Sequence, residues 1–507
     1  MLLATLRARR AAEGLTDWNS AAQAFAEAQR QLHLTVWRGL RAPDRRGLLV
    51  RWPDIANDGA AAALAAGEPE WAVEMLDHGR FLWWGQVLDI RTDLSALRSV
   101  HPDLAERLSA LRLQTDGDVS ADQRRRLATA WDDTVAAVRT RPGFERFLLP
   151  TSFDELAEAA ADGPVVLVNV SRHRCDSLVV TTDGVRVVPL PELTADEAAR
   201  RTREYLAAVA GTGIGGTSAG AREQVLLSYL EWLWDVVAEP VLTAFPVPLG
   251  GRLWWCASGP LALAPLHAAG YHDPDDAPSG RTVLDRVVSS MTPTLRALRH
   301  ARRPAQAKPS GMLVVACQRR PDYVTGLPDL PSATREAALL RSRFSDTTVL
   351  TESEATTSRA TELLAEHAFA HFACHGGTTS TGEAALFLAD APLTLVDLAR
   401  LDLDDAYLAV LSACHTAIGD TDLPDEAHHV AAALQVAGFR HVVSALWAIG
   451  DDTATAVTDD LYREIITDEG TLDPSRTAHA LHTVTHELRR QNPYQPSRWA
   501  PFIHFGI

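Results

Sequence analysis

The sequence predicts an α/β protein whose carboxyl-terminal part holds a parallel sheet with helices on both faces. From residue 311 onwards, short apolar segments rich in β-branched residues alternate with helical segments, and this alternation is typical of a parallel sheet. A second set of strand-like segments begins near residue 163. Residues 1–110 instead repeat apolar side chains at helical spacing, so we expect an all-α region ahead of two α/β halves.

The amino-terminal region of residues 1–110 is expected to form helices in a tetratricopeptide-like arrangement of about one or two degenerate units. Segment 17–32 begins with residues that cap helices and then repeats small and aromatic side chains on one face. Segment 67–90 does the same, and we expect its tryptophans, Trp71, Trp83 and Trp84, to belong to the core. The region either docks a partner or only covers the α/β part. Residues 111–150 follow as a polar helical connector.

The first α/β half is predicted over residues 151–300, with strands, a tight turn and two helices. Its glycine-rich stretch 211–216 has the spacing of a dinucleotide site, but it follows a helix and not a strand, so we interpret it as a loop. Cys256 and His267 lie on an apolar run and are expected in the core. The linker 301–310, rich in Pro, Ala and Arg, separates this half from the next.

Two strand ends in the second half, residues 311–507, carry reactive side chains. In AHFACHGG and in YLAVLSACHTAIGD, an apolar strand runs into a turn of small residues that holds His375 or Cys414. The two residues lie 39 positions apart (414 − 375), which leaves room for a hairpin and one helix. Because ligands bind at the carboxyl ends of parallel strands, adjacent strands would bring the imidazole and the thiol face to face.

This pairing has a chemical purpose. A thiol becomes a strong nucleophile when it loses its proton, and a nearby imidazole can accept that proton and later give it to a leaving amine. Gly376 follows the histidine and lets a substrate backbone approach closely. The N–H groups of Gly376 and Cys414 are therefore the expected donors of an oxyanion hole.

The two motifs resemble those of the CHAT domain, a branch of the caspase, separase and gingipain cysteine peptidases. Four further segments resemble the same family in order: LPDLPSATREAALL, LTESEATTSRATELL, LQVAGFRHVVSALWAIGDDTATAV and the final RWAPFIHFGI. The resemblance covers roughly residues 150–507. It implies a caspase-like sheet, an inactive protease-like half over 151–300, and an active half over 311–507 with His375 and Cys414 as the catalytic dyad. It also implies cleavage of a specific partner protein in bacterial defence or regulated cell death.

The substrate specificity of such a peptidase depends on residues near the nucleophile. Metacaspases carry an acid two positions before the nucleophile, where this chain has Ser412. Asp420 and Asp422 lie in an acidic loop after the nucleophile, and His415 follows it directly. These four residues are candidates for the substrate pocket. We expect either a tolerant pocket for uncharged side chains or a basic preference that rests on the two aspartates.

Two other functions remain open at this stage. The same fold without activity would act as a scaffold for protein–protein interaction, although His375, Gly376 and Cys414 are all intact. A zinc-dependent hydrolase would use the histidines and cysteines clustered at the two strand ends, which are His371, Cys374, His375, Cys414 and His415. Neither segment has the usual two-cysteine spacing of a zinc site, so we expect no metal and no cofactor.

The amino-acid composition restricts the cellular compartment and the classes of partner that we expect for the protein. A formal net charge of −17 argues against nonspecific nucleic-acid binding. Five scattered cysteines make no disulfide framework, and we find no long apolar run or signal peptide, so we expect a cytoplasmic protein without membrane contact. The expected partners are a protein substrate, for which the product of a neighbouring gene is one candidate, and an activating partner that acts through the amino-terminal helices.

Overall fold

The structure is a computed structural model. It describes residues 17–37, 52–80, 94, 97–115, 120–211, 218–274, 280–303, 310–379, 383–403, 405–412, 430–468 and 470–507. The chain forms two compact units, residues 1–156 and residues 157–507.

The α-helices of the described residues are, in chain order, α1 Trp18–Trp37, α2 Ile55–Ala65, α3 Pro69–Gly79, α4 Pro102–Thr115, α5 Ala121–Arg139, α6 Phe153–Ala157, α7 Ala195–Val209, α8 Ala219–Leu233, α9 Glu239–Ala244, α10 Val283–Arg286, α11 Leu295–Ala301, α12 Pro331–Arg343, α13 Thr357–Leu364, α14 Leu395–Arg400, α15 Val430–Ala437, α16 Asp451–Ile465, α17 Thr477–Gln491 and α18 Pro496–Trp499. None of these helices combines the length with the apolar character that a bilayer span requires.

The strands are β1 Val165–Val170, β2 Cys175–Thr181, β3 Gly184–Pro189, β4 Gly251–Ala257, β5 Val287–Met291, β6 Met312–Ala316, β7 Thr347–Thr351, β8 Phe369–Ala373, β9 His375–Thr378, β10 Ala384–Phe387, β11 Pro392–Thr394, β12 Leu408–Leu411, β13 His441–Ala445 and β14 Phe502–Gly506.

The first unit is helical, and the apolar face predicted for α1 is buried. Its four predicted side chains, each at most 3% exposed, are Ala21, Phe25, Ala28 and Leu32. This face packs on α2, where Gly59 permits a close approach because an added Cβ would lie 3.2 Å from the Cβ of Phe25. Trp71 is half-buried, whereas Trp83 and Trp84 lie outside the described residues.

The second unit contains one large, mostly parallel sheet, which confirms the predicted fold class. Its eleven strands follow the order β3-β2-β1-β4-β5-β14-β13-β12-β8-β6-β7. Among these strands, the antiparallel neighbours are β1 with β2, β2 with β3, and β13 with β14. The last strand, β14, lies between β5 and β13. It therefore joins the strands of the two predicted α/β halves into a single sheet.

Helices cover the sheet on both faces. Helices α12, α16 and α17 share one apolar cluster with Met312, Val314 and Val443. Side chains alternate between the two faces of a strand, so the intervening Leu313 and Val442 point to the opposite face. Both are also fully buried. The strands β6 and β13 are therefore buried on both faces at these positions.

A second, smaller sheet starts where β8 ends. It contains three antiparallel strands in the order β11-β10-β9, and β10 matches the hairpin that the sequence predicts. Helix α14 follows β11 and begins with a capping box in which Thr394 and Asp397 bond to each other's backbone N–H. The chain then returns to the large sheet as β12, beside β8.

Candidate active site

His375 lies at the carboxyl end of β8, in the middle of the second α/β half. Strand β8 pairs in parallel with β6 on one side and with β12 on the other, and it ends at Ala373. After Cys374, His375 opens β9, so the chain leaves the large sheet at this residue. The side chain is only 4% exposed. The histidine therefore stands where ligands of parallel sheets bind, and the surrounding chain holds its ring.

The ring of His375 is oriented by a backbone carbonyl. Its Nε2 lies 2.7 Å from the carbonyl oxygen of Pro328. A carbonyl oxygen only accepts hydrogen bonds, so Nε2 carries the proton and donates it. In the neutral imidazole the lone pair is then on Nδ1. This contact favours the tautomer in which Nε2 carries the proton and Nδ1 the lone pair.

The segment that supplies this carbonyl connects β6 with α12 and is tied down at several points. The Cys317 N–H donates to the carbonyl of Ala373 at 2.9 Å, and the Leu330 N–H donates to that of Gln318 at 2.7 Å. The Tyr323 hydroxyl donates to the carbonyl of Leu388 at 2.7 Å. These bonds hold the segment against the ends of β8 and β10, so the carbonyl of Pro328 is a fixed part of the site.

The register of the small sheet determines where the N–H of Gly376 points. The Thr379 N–H donates to the Glu383 carbonyl at 2.7 Å, so these two residues form a hydrogen-bonded pair. Gly376 pairs with Leu386, three steps along the same register. Hydrogen-bonded and non-hydrogen-bonded pairs alternate in antiparallel strands, so Gly376 makes no ladder bond to β10. Its N–H therefore points away from β10 and is suited to a ligand.

Strand β12 leads toward the second predicted site residue. It pairs with β8 so that Leu411 faces Phe372, and the Ser412 N–H extends the ladder by donating to the carbonyl of Phe372 at 2.9 Å. The other predicted residues of this motif lie outside the described residues; they are Cys414, His415, Asp420 and Asp422.

Sequence reasoning missed a buried carboxylate beneath Ser412. The Ser412 hydroxyl donates to Oε1 of Glu336 at 3.1 Å, and Nε2 of His371 lies 2.9 Å from Oε2 of the same carboxylate. Glu336 and His371 are both 0% exposed. A signal was present, because Glu336 shares the helix face of Ala333 and Leu340, where an acid is unusual. The other residue missed, Pro328, acts through its backbone and gives no side-chain signal.

The remaining cysteines of the described residues are core residues. Cys175, Cys256, Cys317 and Cys374 are buried and take part in no disulfide among the described residues. Burial raises the pKa of Cys317 to about 12, with Glu352 adding to the effect. The Cys256 thiol donates to the carbonyl of Pro293 at 3.5 Å. Within the described ranges, no three His, Cys, Asp or Glu side chains come together as a metal site would need.

A cavity of about 510 Å³ opens at the same edge of the sheet. Strand β13 runs parallel to β12, so the segment after β13 stands on the side where β8 and β12 end. The cavity is lined by Trp447 and Ile449 from this segment and by Asp452 from the first turn of α16. Arg222 and Arg498 contribute from α8 and α18. Its lining mixes apolar side chains with polar groups and with charged groups of both signs.

Comparison with known proteins identifies the family and the fold of the chain. The CHAT domain family model matches residues 227–507, more than half of the chain. None of the curated proteins matches. Two crystal structures of the Saccharomyces cerevisiae separase–securin complex are similar, with TM-scores of 0.54 and 0.55 at 9% identity, over 97% of this chain and 37% and 38% of the matched chain. The pro- and mature domains of Porphyromonas gingivalis RgpB match at a TM-score of 0.36 and 11% identity, over 56% of this chain and 76% of that one.

This chain spans little more than a third of the length of the matched separase chains. At 9% identity the likeness to separase shows a shared fold: a large, mostly parallel sheet between helices, with a helical region ahead of it. The family match covers every strand of the large sheet except β1, β2 and β3, and it includes both predicted strand ends and the closing strand β14. The chain therefore belongs to the CHAT domain family.

Proposed function

We propose that this chain is a cysteine endopeptidase that cleaves a specific partner protein, with Cys414 as the nucleophile and His375 as the general acid and base. The observation that carries the proposal is the hydrogen bond from His375 Nε2–H to the Pro328 carbonyl, at 2.7 Å. A ring held in one tautomer at the carboxyl end of a central strand is arranged for proton transfer, and a core histidine needs no such position.

The register of β8 and β12 supports the choice of Cys414 as the partner of His375. Leu411 and Phe372 are paired residues on these adjacent parallel strands. His375 follows Phe372 by three positions (375 − 372), and Cys414 follows Leu411 by three positions (414 − 411). The two residues therefore follow a paired position at the same distance in sequence, which supports their choice as the dyad.

The proposed reaction proceeds in two steps. Nδ1 of His375 takes the proton of the Cys414 thiol, and the thiolate attacks the scissile carbonyl carbon to form a C–S bond. The carbonyl oxygen becomes an oxyanion that the N–H groups of Gly376 and Cys414 stabilise. The imidazolium gives its proton to the departing amine, which leaves a thioester. Water then attacks the thioester, His375 accepts its proton, and the free carboxylic acid and thiol are restored.

Substrate selection is proposed to depend on residues around the second strand end. Ser412, His415, Asp420 and Asp422 stay candidates for the pocket that receives the side chain before the cleaved bond. Three of them lie outside the described residues. The cavity beside Trp447 lies at the same edge, and its mixed polar and apolar lining is proposed to receive further substrate residues.

The partner of this chain is proposed to be a protein. The solved separase structures that it resembles contain securin, and that pairing is a property of separase. For this chain, the helices of residues 1–110 are the proposed docking region for an activating partner. A role in bacterial defence or regulated cell death follows from the resemblance of its motifs alone.

The experiment that tests the function is a comparison of new protein amino termini in cells that express wild type, Cys414→Ala or His375→Ala. We expect new termini in the wild type only, because loss of a nucleophile or its base commonly lowers the rate by several orders of magnitude, about 10⁴-fold or more. Cys374→Ala is the matched control, since it removes the neighbouring buried thiol and should keep activity. Identical termini in wild type and Cys414→Ala would instead favour the inactive scaffold.

A further inference from the structure

A single buried carboxylate connects the two strands that carry the proposed dyad. Glu336, on α12, is 0% exposed and receives three hydrogen bonds. His371 Nε2 donates from β8 at 2.9 Å, the Ser412 hydroxyl donates from the end of β12 at 3.1 Å, and the Thr458 hydroxyl donates from α16 at 3.2 Å. The hydroxyl of Tyr462 lies 3.4 Å from the other ring nitrogen of His371.

Burial of the Glu336 carboxylate is energetically unfavourable unless its surroundings compensate for the lost hydration. A carboxylate removed from water is unfavourable unless donors replace its hydration. An apolar residue would fill this part of the core without any such requirement. Three donors from three separate elements satisfy it here, and a network of this kind imposes one geometry on all the elements that it joins. Its effect is thus to fix the relative position of β8, β12 and α16.

The two strand contacts lie close to the proposed catalytic residues in sequence. His371 lies on β8, four positions before His375 (375 − 371). Ser412 lies two positions before Cys414 (414 − 412). Both hydrogen-bond donors of Ser412 are engaged, the N–H by the Phe372 carbonyl and the hydroxyl by Glu336. The backbone that leads into the nucleophile is therefore held both by the sheet and from the helix layer beneath it.

We infer that Glu336 is a positioning residue of the peptidase site, which holds Ser412 and through it the approach of Cys414 to His375. This inference rests on the proposed dyad. The carboxylate is fully buried, so it acts on the strand end and does not contact substrate. Ser412, at the position where metacaspases carry an acid for substrate, serves here as the link between this carboxylate and the nucleophile.

Two variants, each of which lacks one hydroxyl donor to Glu336, distinguish a positioning role of this carboxylate from a contribution to overall stability. Ser412→Ala and Thr458→Val each remove one hydroxyl donor to Glu336, the first beside the nucleophile and the second on α16. The measurement is the rate of Cys414 alkylation by iodoacetamide in the full chain, followed by mass spectrometry from pH 5 to pH 9, together with the melting temperature. It needs no knowledge of the substrate.

We expect Ser412→Ala to lower the alkylation rate at pH 7 by about 10- to 100-fold, because a misplacement of about 1 Å in a catalytic group has effects of that size. The pH midpoint of its labelling should rise toward that of a free thiol, about 8.5. Thr458→Val should lose a similar amount of thermal stability and keep the wild-type labelling profile. Ser412→Thr, which restores the hydroxyl, should recover most of the rate.

Three results would overturn the inference. A Ser412→Ala variant that labels like a reactive wild type would show that the strand end needs no link to Glu336. A Thr458→Val variant with an equal loss of labelling would show that Glu336 contributes only to the overall stability of the fold. A wild-type Cys414 that titrates like a free thiol would reject the proposed dyad itself, and with it this role for Glu336.

Discussion

Two histidines four positions apart, His371 and His375, differ in what their ring nitrogens contact. The ring of His371 is enclosed by Glu336 and Tyr462, so both of its nitrogens have side-chain partners in the helix layer. The ring of His375 is held on one side by the Pro328 carbonyl at the edge of the sheet. The two residues are only four positions apart, yet the end of β8 lies between them and gives them separate roles.

The burial of the cysteine thiols predicts which cysteines stay unreactive. Thiolates are the reactive species, and burial holds the pKa of Cys317 at about 12 and raises that of Cys175 as well. At pH 7 we therefore expect iodoacetamide to modify Cys414 and to leave Cys317 and Cys175 unmodified in the native chain. Peptide mass spectrometry after brief alkylation measures this. As a control, the same treatment in urea should modify all three. Native labelling of Cys317 ahead of Cys414 would contradict the assignment of the nucleophile.

At the scale of single elements, an ion pair links a helix of the first α/β half with a helix of the second. Asp285 on α10 accepts hydrogen bonds from Arg489 on α17 and from the Thr282 hydroxyl. Burial by itself would raise the pKa of Asp285, but these bonds outweigh it and hold the pKa below its usual range. The aspartate and arginine side chains are 18% and 12% exposed, so solvent screens this pair weakly.

The neighbouring residue of α17 provides a matched control for this pair. Arg490 pairs with Glu487 within the helix, and both side chains are about half exposed or more. We expect Arg489→Ala to lower the free energy of unfolding by about 2 kcal/mol, because it leaves a buried carboxylate short of a donor. Arg490→Ala should cost less than about 0.5 kcal/mol. Urea denaturation of the three proteins tests this, and equal losses for the two variants would show that the ion pair does not stabilise the unit.

Helices and strands with a clear hydrophobic pattern of their own were predictable from the sequence. Strands whose place depends on pairing with strands distant in sequence were not. Helix α12 begins at Pro331, one residue before the start of the helix that the pattern of residues 332–344 predicts. Strands β8 and β12 lie where the apolar runs predict strands. Strand β5 was missed because Val287–Met291 is short and contains two serines. Strand β14 was not predicted either, since its place between β5 and β13 depends on strands distant in sequence.

At the scale of the whole molecule, four buried histidines and the half-buried His482 lie in the second unit. Burial lowers the pKa of His267, His272 and His482 to about 4 and that of His441 to about 3. It also lowers the pKa of His504, whose Nε2 lies 3.1 Å from Nδ1 of His441. One of these two rings must donate and the other accept, so protonation of both would disrupt the contact.

These histidines predict that the second unit is labile in mild acid. An unfolded histidine titrates near pH 6.5, whereas the buried rings stay neutral to about pH 4, so the unfolded chain binds more protons within this window. Stability is therefore present above about pH 6.5 and is lost as the pH falls, by roughly 1.4 kcal/mol per pH unit for each such group. Over the two pH units between about 6.5 and about 4.5, five such groups would remove about 14 kcal/mol, which is comparable to the upper end of a typical stability of about 5–15 kcal/mol.

The measurement is urea denaturation followed by circular dichroism at pH values from 8 to 4.5, with one matched pair of variants. Nδ1 of His504 lies 2.7 Å from the Ser290 hydroxyl. His504→Asn removes this hydrogen bond and also a titrating group, so it should make the stability less dependent on pH. Ser290→Ala removes the hydrogen bond alone, so it should lower stability at every pH and keep the wild-type slope. A stability that stays constant between pH 6.5 and pH 5 in the wild type would show that these rings are protonated in the folded chain.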